Sequence, residues 1–202
     1  MSLIYSHILL YDYNKENSIF RNQKIKYLEF ISYYFIMDNI YNNILSNGSI
    51  IASPSIEPDY NYHWTRDSAI VINSLIEKKE PNLDIFENFI NIELEHIKFH
   101  AAEPKFHIDG SPFLGDWGRP QNDGPALRGI VCLKLIKILP FRLPSLIEII
   151  NNDLNYTINN INNTSFDLWE EINGYHLYTR LVQYMFLYKI SSSEYKNKFI
   201  TI

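Results

Sequence analysis

Residues 123–139 read DGPALRGIVCLKLIKIL, a stretch that predicts a buried α-helix. Asp123 can cap this helix, and Pro125 suits its first turn, where a backbone N–H has no helical partner to lose. From Ala126 to Leu139 apolar side chains cover most of the circumference, and Pro140 ends the helix. A helix that is apolar on most sides is buried by several neighbours rather than laid on a surface. We therefore expect a core helix within a helical protein.

The remaining sequence predicts further helices and no sheet. Apolar residues recur at helical spacing along the chain, whereas no series of alternating residues indicates strands. The predicted helices are Ser18–Leu45, Asp67 or Ser68 to Ile76, one opened by an Asp84/Glu87 capping box, about Ser145–Asn155 and about Asn173–Tyr188. This pattern predicts an all-α fold.

The composition fits one soluble domain. The 202 residues are 46% hydrophobic and 15% aromatic, which is ample for a packed core. A net charge of −5 without a Lys/Arg cluster argues against nucleic acid or an anionic membrane as partner. Cys132 is the only cysteine, which excludes an intramolecular disulfide and a zinc cluster. No apolar run approaches the roughly 20 residues of a membrane span, and no secretory signal is evident. We expect an intracellular protein, with the vacuole as one candidate compartment.

Three loops carry Trp, Arg, Asp and Gly at unusual density. They read ASPSIEPDYNYHWTRDSA from Ala52, EPKFHIDGSPFLGDWGRPQNDGPALRG from Glu103 and FDLWEEINGYHLYTRLVQ from Phe166. Loops on a helical scaffold are where binding residues tend to lie. In the third loop the adjacent carboxylates Glu170 and Glu171 follow an aromatic residue. An acid that stays protonated beside an aromatic wall suits glycoside cleavage, although such a pair could also be a surface feature at a helix start.

In this order and at this spacing, the loops resemble the catalytic domain of the fungal glucoamylase family (glucan 1,4-alpha-glucosidases, glycoside hydrolase family 15). WTRD, WGRPQ-DGPALR and LWEE-NG carry the resemblance, which covers about residues 30–190. It implies an (α/α)6 toroid of the six-hairpin glycosidase type, with the substrate held at one end by loops between helices. It also implies release of glucose from the non-reducing ends of alpha-1,4-glucans with inversion, without a metal or an organic cofactor.

The resemblance assigns roles to the acidic residues of the third loop. Glu170 matches the general acid of the family, and Glu171 matches a substrate-binding carboxylate. Asp167 matches a position that has been considered as a proton acceptor. His63, His96, His100, His107 and His176 show no spacing that predicts a metal site.

The first two loops match residues that contact the sugar. Arg66 and Asp67 match residues that hydrogen-bond the terminal glucose, and charged groups make strong hydrogen bonds to hydroxyls. Trp117 matches an indole that lines the cleft beside the acid. Other interpretations stay open: Asp67 could cap its helix, Arg66 could pair with Asp59 or Asp67, and Trp117 could belong to the core. For Trp64, Arg119 and Asp123 we expect support of the loops.

The resemblance has two departures. Thr164-Ser165 precede Phe166 where the family has a glycine, which would permit a positive φ. The chain stops at Ile202, roughly halfway through a family domain, so we expect residues 1–202 to be one incomplete catalytic domain without its C-terminal half. The catalytic base of the family lies in that half. Inversion needs a second carboxylate about 6.5–9.5 Å from the acid, so we expect this chain to be inactive alone.

Two further expectations follow from an incomplete toroid. Inner faces of helices such as 126–139 would be exposed, which favours self-association. Besides an alpha-glucan hydrolase, the chain could be a non-catalytic glucan-binding module or a non-functional fragment of a longer glucoamylase.

Overall fold

The computed structural model describes residues 38–78, 80–194 and 196–199. The chain divides into two units, residues 1–42 and 43–202. In the first unit residues 38–42 are helical, and the earlier part of the predicted helix from Ser18 lies outside the described residues. Its predicted end at Leu45 is wrong, because Ile44 already pairs with Ile50 in an isolated β-bridge. All that follows concerns the second unit.

The second unit is built of helices. They are α1 (Thr65–Ile76), α2 (Leu83–His96), α3 (Asp123–Ile138), α4 (Leu143–Asn160), α5 (Leu177–Ser192) and α6 (Lys196–Phe199), with a 3-10 turn at Pro140–Arg142. Two antiparallel pairs of two-residue strands lie in the connections. They join β1 (His63–Trp64) to β2 (Lys105–Phe106) and β3 (Ser165–Phe166) to β4 (Asn173–Gly174). The prediction of an all-α fold is confirmed. The short strands only connect loop segments through backbone hydrogen bonds.

The helices alternate between two layers along the chain. Helix α3 packs against α1 and α5 in one layer, and α2 packs against α4 in the other. Helix α3 also contacts α4, which joins the layers. Each connection thus crosses from one layer to the next, as in a series of helical hairpins. The loops that precede α1, α3 and α5 are the three loops with conspicuous motifs.

Several predicted helix boundaries are wrong for identifiable reasons. Helix α2 is capped by Asn82, whose side chain accepts the N–H of Asp84 at 3.1 Å, so Asp84 lies inside the first turn and is not the cap. Asp123 likewise lies in the first turn of α3. Asn173 and Gly174 form β4, so α5 begins only at Leu177. The cap of α2 is a local bond from Asn82, whereas the pairing of β4 with β3 is what delays the start of α5.

The core helix α3 is buried, as its apolar circumference predicts, with Val131, Leu135 and Ile136 almost inaccessible. The expectation that residues 126–139 would lie exposed in an incomplete toroid is therefore wrong. The exposed apolar face belongs to α5 instead. It consists of Leu177, Leu181, Tyr184, Met185 and Tyr188, whose spacing places them on one side of the helix.

A buried charge network fastens α2, α3 and α4 together. Arg128 Nε and Nη2 bond the two oxygens of Asp153 at 3.0 and 2.6 Å, and its Nη1 bonds Glu93 Oε2 at 2.8 Å. All three side chains are inaccessible to solvent or nearly so. Burial raises the pKa of Asp153 to about 6 despite the charge of Arg128. Burial would also raise the pKa of Glu93, but Arg128 and two histidines hold it well below its usual range.

No helix of the described residues is long and apolar enough to cross a bilayer.

Candidate active site

The three motif loops meet where α1, α3 and α5 begin. Arg66 at the start of α1 bonds Asp123 at the start of α3, Nη1 to Oδ2, at 2.9 Å. Phe166 in the loop before α5 donates its backbone N–H to Pro120 O at 2.9 Å. These contacts bring residues that are about 100 positions apart in the chain to the N-terminal ends of α1, α3 and α5.

Glu170 is the centre of this arrangement. Its Oε1 accepts Trp64 Nε1–H at 3.1 Å and Gln121 Nε2–H at 2.8 Å, and Arg66 Nη2 lies 3.5 Å away. The side chain is 15% exposed. No hydrogen bond among the described residues uses Oε2. One oxygen is therefore held by the protein, and the other is available to carry a proton to a bound molecule.

A strained turn presents Glu170. Its φ is +65°, and among the described residues no other non-glycine residue has a positive φ. Asp167 holds the turn, because its Oδ1 accepts the backbone N–H groups of Glu171 at 2.8 Å and Ile172 at 3.1 Å. These bonds lower the pKa of Asp167. Non-glycine residues in this region cost about 1–3 kcal/mol and cluster at functional sites. The proton-acceptor role of Asp167 stays a prediction beside this observed contact.

Arg66 and Gln121 form the support behind Glu170. Arg66 Nη2 donates to Gln121 Oε1 at 3.0 Å, while Gln121 Nε2 donates to Glu170. Arg66 thus pairs with Asp123, rather than with Asp59 or Asp67 as the surface alternative supposed. Burial disfavours the charged guanidinium, but Asp123 and its neighbours raise the pKa of Arg66 above its ordinary value. Sequence reasoning missed Gln121, although it stands inside the WGRPQ motif.

The other predicted sugar contacts line the same end of the helices. Asp67 is half-buried, and burial raises the pKa of its carboxyl group in spite of the neighbouring Arg66. Trp117 is 37% exposed, and its ring lies 6.2 Å from that of Trp64 in an edge-to-face arrangement. Glu171 is exposed on the turn beside Glu170. The predicted site residues are therefore gathered in one region, and Trp64 contacts the acid directly.

The second and third loops approach each other closely. A Cβ on Gly118 would lie 2.8 Å from Glu170 O and 2.8 Å from Phe166 Cδ1, so the approach requires glycine. Thr164-Ser165 stand where the resemblance leads one to expect a glycine, and neither residue has a positive φ. The Ser165 hydroxyl accepts the N–H of Asn122 at 3.0 Å. The serine of this pair therefore adds a hydrogen bond between the second and third loops.

A second cluster lies deeper, behind β1. His63, Glu93 and His96 each offer a ligand atom within 4.8 Å of the others. However, His63 Nδ1 accepts the N–H of Ile50 at 3.0 Å, which puts the ring proton on Nε2, 3.1 Å from Glu93 Oε1. A metal would need the lone pair of that nitrogen. Burial lowers the pKa of His96 to about 4, which keeps its imidazole neutral. The His63 proton on Nε2 is thus the feature that favours a hydrogen bond to Glu93, beside the Arg128 ion pairs, over a metal centre.

The comparisons with known proteins agree with one family. The model of Glycosyl hydrolases family 15 matches residues 31–190. The "Glucoamylase, intracellular sporulation-specific" of Saccharomyces cerevisiae is 37% identical over 169 residues, covering 69% of this chain and 31% of the relative. A "Probable glucoamylase" of Schizosaccharomyces pombe is 39% identical over 161 residues, covering 69% of this chain and 36% of the relative.

Solved structures give the same result. The family 15 glucoamylase from Hypocrea jecorina has a TM-score of 0.76 at 35% identity, covering 84% of this chain and 34% of that chain. The glucoamylase from Saccharomycopsis fibuligera has a TM-score of 0.68 at 33% identity, covering 76% and 39%. These matches confirm the predicted fold, part of an (α/α)6 toroid. The chain spans about a third of the length of the relatives it matches.

Proposed function

The chain belongs to glycosyl hydrolases family 15. From this premise we propose that it contains the part of a glucoamylase active site that includes the general acid. The reaction is hydrolysis of alpha-1,4-glucans at non-reducing ends, with release of glucose and inversion at the anomeric carbon. Glu170 is the acid. Arg66, Asp67, Trp117 and Glu171 bind the sugar, and the reaction serves polysaccharide breakdown.

The environment of Glu170 carries the proposal. Two N–H groups bond Oε1 and the Arg66 guanidinium lies 3.5 Å from it, so the carboxyl group is fixed in orientation while Oε2 is left for proton transfer. An acid must deliver its proton to the glycosidic oxygen as the bond breaks, and orientation is the main contribution that a protein can make to this step. A surface charge pair would not need a strained turn, two converging N–H donors and a nearby guanidinium.

Activity needs a second carboxylate as well. Inversion requires a base on the opposite face of the sugar, about 6.5–9.5 Å from the acid. The resemblance implies that the catalytic base of the family lies beyond the segment matched by residues 31–190. We therefore expect the 202-residue chain to bind maltooligosaccharides but not to hydrolyse them by itself.

Binding and hydrolysis of maltotriose by the purified 202-residue chain test the proposal. We expect saturable binding by calorimetry, weakened at least about tenfold by Arg66→Ala because a charged donor to the sugar is lost. Arg180→Ala, at a partly exposed arginine of α5, is the matched control. Glucose release is followed in parallel, with Glu170→Gln as the second control.

Each outcome of this experiment is informative. A soluble, folded chain that does not bind maltotriose contradicts the proposed function. Glucose release that Glu170→Gln abolishes shows that the chain is active alone, and proton NMR then reports whether β-glucose forms first, as inversion requires. Binding without release is the expected result. The second candidate is a non-catalytic glucan-binding module, which would still release no glucose when the chain is joined to the part of the Saccharomyces cerevisiae relative beyond the matched segment. That candidate is supported by the presence of all the predicted sugar contacts within this chain.

The exposed face of α5 supports a proposal of self-association. Five large apolar side chains on one side of a helix form a patch that soluble monomers seldom expose. We expect the isolated chain to form dimers or larger species, and Leu181→Glu to reduce them by placing charge in the patch. Sedimentation velocity at several concentrations measures the effect, and Leu114→Glu, at another exposed leucine, is the control. A monomeric wild-type chain at all concentrations would contradict the proposal.

Location inside the cell is proposed from the Saccharomyces cerevisiae relative, whose name includes "intracellular". Cell fractionation with an antibody tests it, and recovery of the protein only from the medium would contradict it.

A further inference from the structure

Lys105 lies inside a closed circuit of four aromatic rings beside the candidate site. Tyr62, Trp64, Trp117 and Phe113 follow one another edge to face, with ring centroids 5.7, 6.2, 6.0 and 5.4 Å apart around the circuit. The Lys105 Nζ is 3.9, 5.0, 3.8 and 4.1 Å from these centroids in the same order. The residue is only 3% exposed. Such distances to ring faces are those of cation–π contacts.

The main chain fixes this arrangement. Lys105 is the register partner of Trp64 in the two-residue ladder of β1 and β2. The N–H of Thr65 bonds Pro104 O at 3.0 Å, and the N–H of Phe113 bonds Lys105 O at 3.1 Å. The positions of Lys105, Trp64 and Phe113 therefore depend on a few neighbouring backbone bonds.

An ordinary core role does not explain a lysine here. No hydrogen bond or ion pair within the part of the chain that the structure describes uses its Nζ. Burial disfavours the charged form and lowers the pKa of Lys105, against the opposing effect of Asp59 and Glu170. A buried ammonium without an acceptor is costly, and a leucine or methionine would fill the space without that cost. The four aromatic rings stabilise the positive charge of the Lys105 ammonium.

Two of the rings belong to the candidate site. Trp64 donates its indole N–H to Glu170 Oε1 at 3.1 Å, and Trp117 is the partly exposed indole that is predicted to contact the sugar. The ammonium lies between them and attracts the faces of both rings. A change at Lys105 would therefore reach Glu170 and the sugar-facing surface through the two indoles.

We propose that Tyr62, Trp64, Phe113 and Trp117 form a cation cage, and that the ammonium of Lys105 is its built-in occupant and positions both indoles for sugar binding. The cage itself accepts small primary ammonium ions when the lysine is shortened. The sugar-binding part of this inference rests on the proposed function, whereas the cage does not. Lys105 is a positioning residue in this account, because it acts through Trp64 and Trp117.

Two substitutions separate the charge from the shape. Lys105→Met keeps a long unbranched side chain and removes the charge, and we expect it to weaken maltotriose binding about tenfold. Lys98→Met, at an exposed lysine paired with Glu95, is the matched control and should change nothing. Lys105→Ala removes the atoms of a propylammonium ion. Added propylammonium should restore binding in that variant, whereas 1-propanol, of similar shape without the charge, should not.

Tryptophan fluorescence supplies a readout that does not depend on sugar. Propylammonium should change the emission of Lys105→Ala saturably and leave the wild-type chain unaffected, since its cage is occupied. If the folded alanine variant shows no such change, the cage proposal is wrong. If wild type and Lys105→Met bind maltotriose equally, the positioning role is wrong. If the wild-type chain does not bind maltotriose, the proposed function fails, and the fluorescence titration still decides the cage. Thermal unfolding checks that each variant is folded.

Discussion

Arg128→Met is expected to leave the chain largely unfolded at room temperature. The substitution strands the carboxylates of Glu93 and Asp153 in the interior without their cation, whereas the native guanidinium bonds both of them. Breaking a buried ion pair in this way costs about 3–5 kcal/mol, and here two carboxylates lose the same partner. Since whole domains are stable by only about 5–15 kcal/mol, little stability would remain. Urea unfolding followed by circular dichroism measures the loss.

The control is Arg142→Met. Arg142 lies near the surface, 3.5 Å from Glu87, and exposed pairs contribute about 0–1 kcal/mol. Adding Glu93→Gln and Asp153→Asn to Arg128→Met should recover part of the loss, because no charge is then left buried alone. If Arg128→Met were as stable as Arg142→Met, the network would not be what fastens α2, α3 and α4.

Glu170→Gln is expected to lower hydrolysis of maltotriose by about 10²–10⁴-fold, the usual contribution of a positioned acid. Glutamine keeps the size of the side chain and an oxygen for Trp64 and Gln121, but it has no acidic proton for the departing sugar. The assay uses the chain joined to the part of the Saccharomyces cerevisiae relative that lies beyond the matched segment. Enzyme-coupled detection of glucose gives the rate.

A second substrate distinguishes the general-acid role of Glu170 from a general loss of active-site structure. 2,4-Dinitrophenyl alpha-glucoside has a leaving group that departs without a proton, so Glu170→Gln should slow its hydrolysis far less than that of maltotriose. Glu148→Gln, at an exposed glutamate of α4, controls for the loss of one carboxylate. Equal losses on both substrates would contradict the general-acid role and leave Glu170 as a structural or binding residue.

Much of the site could be predicted from local sequence, because its residues stand in three contiguous motifs. Arg66, Asp67, Trp117 and Glu170 were singled out through the family resemblance of these motifs, and the structure brings them together where α1, α3 and α5 begin. Gln121 and Lys105 were missed for a physical reason. A glutamine or a lysine is ordinary in a polar loop, and only the approach of distant rings and carboxylates gives either one a role.

The sequence by itself determined the helical fold class, the burial of α3 and the concentration of candidate site residues in three loops. These properties depend on short-range periodicity and on residue type, which can be read without knowing neighbours in space. Tertiary structure decided the rest. It exposed α5 instead of α3, and it brought Trp64, Gln121 and Arg66 around Glu170 Oε1. Both results depend on contacts between residues far apart in the chain, where packing, and not local preference, sets the free energy.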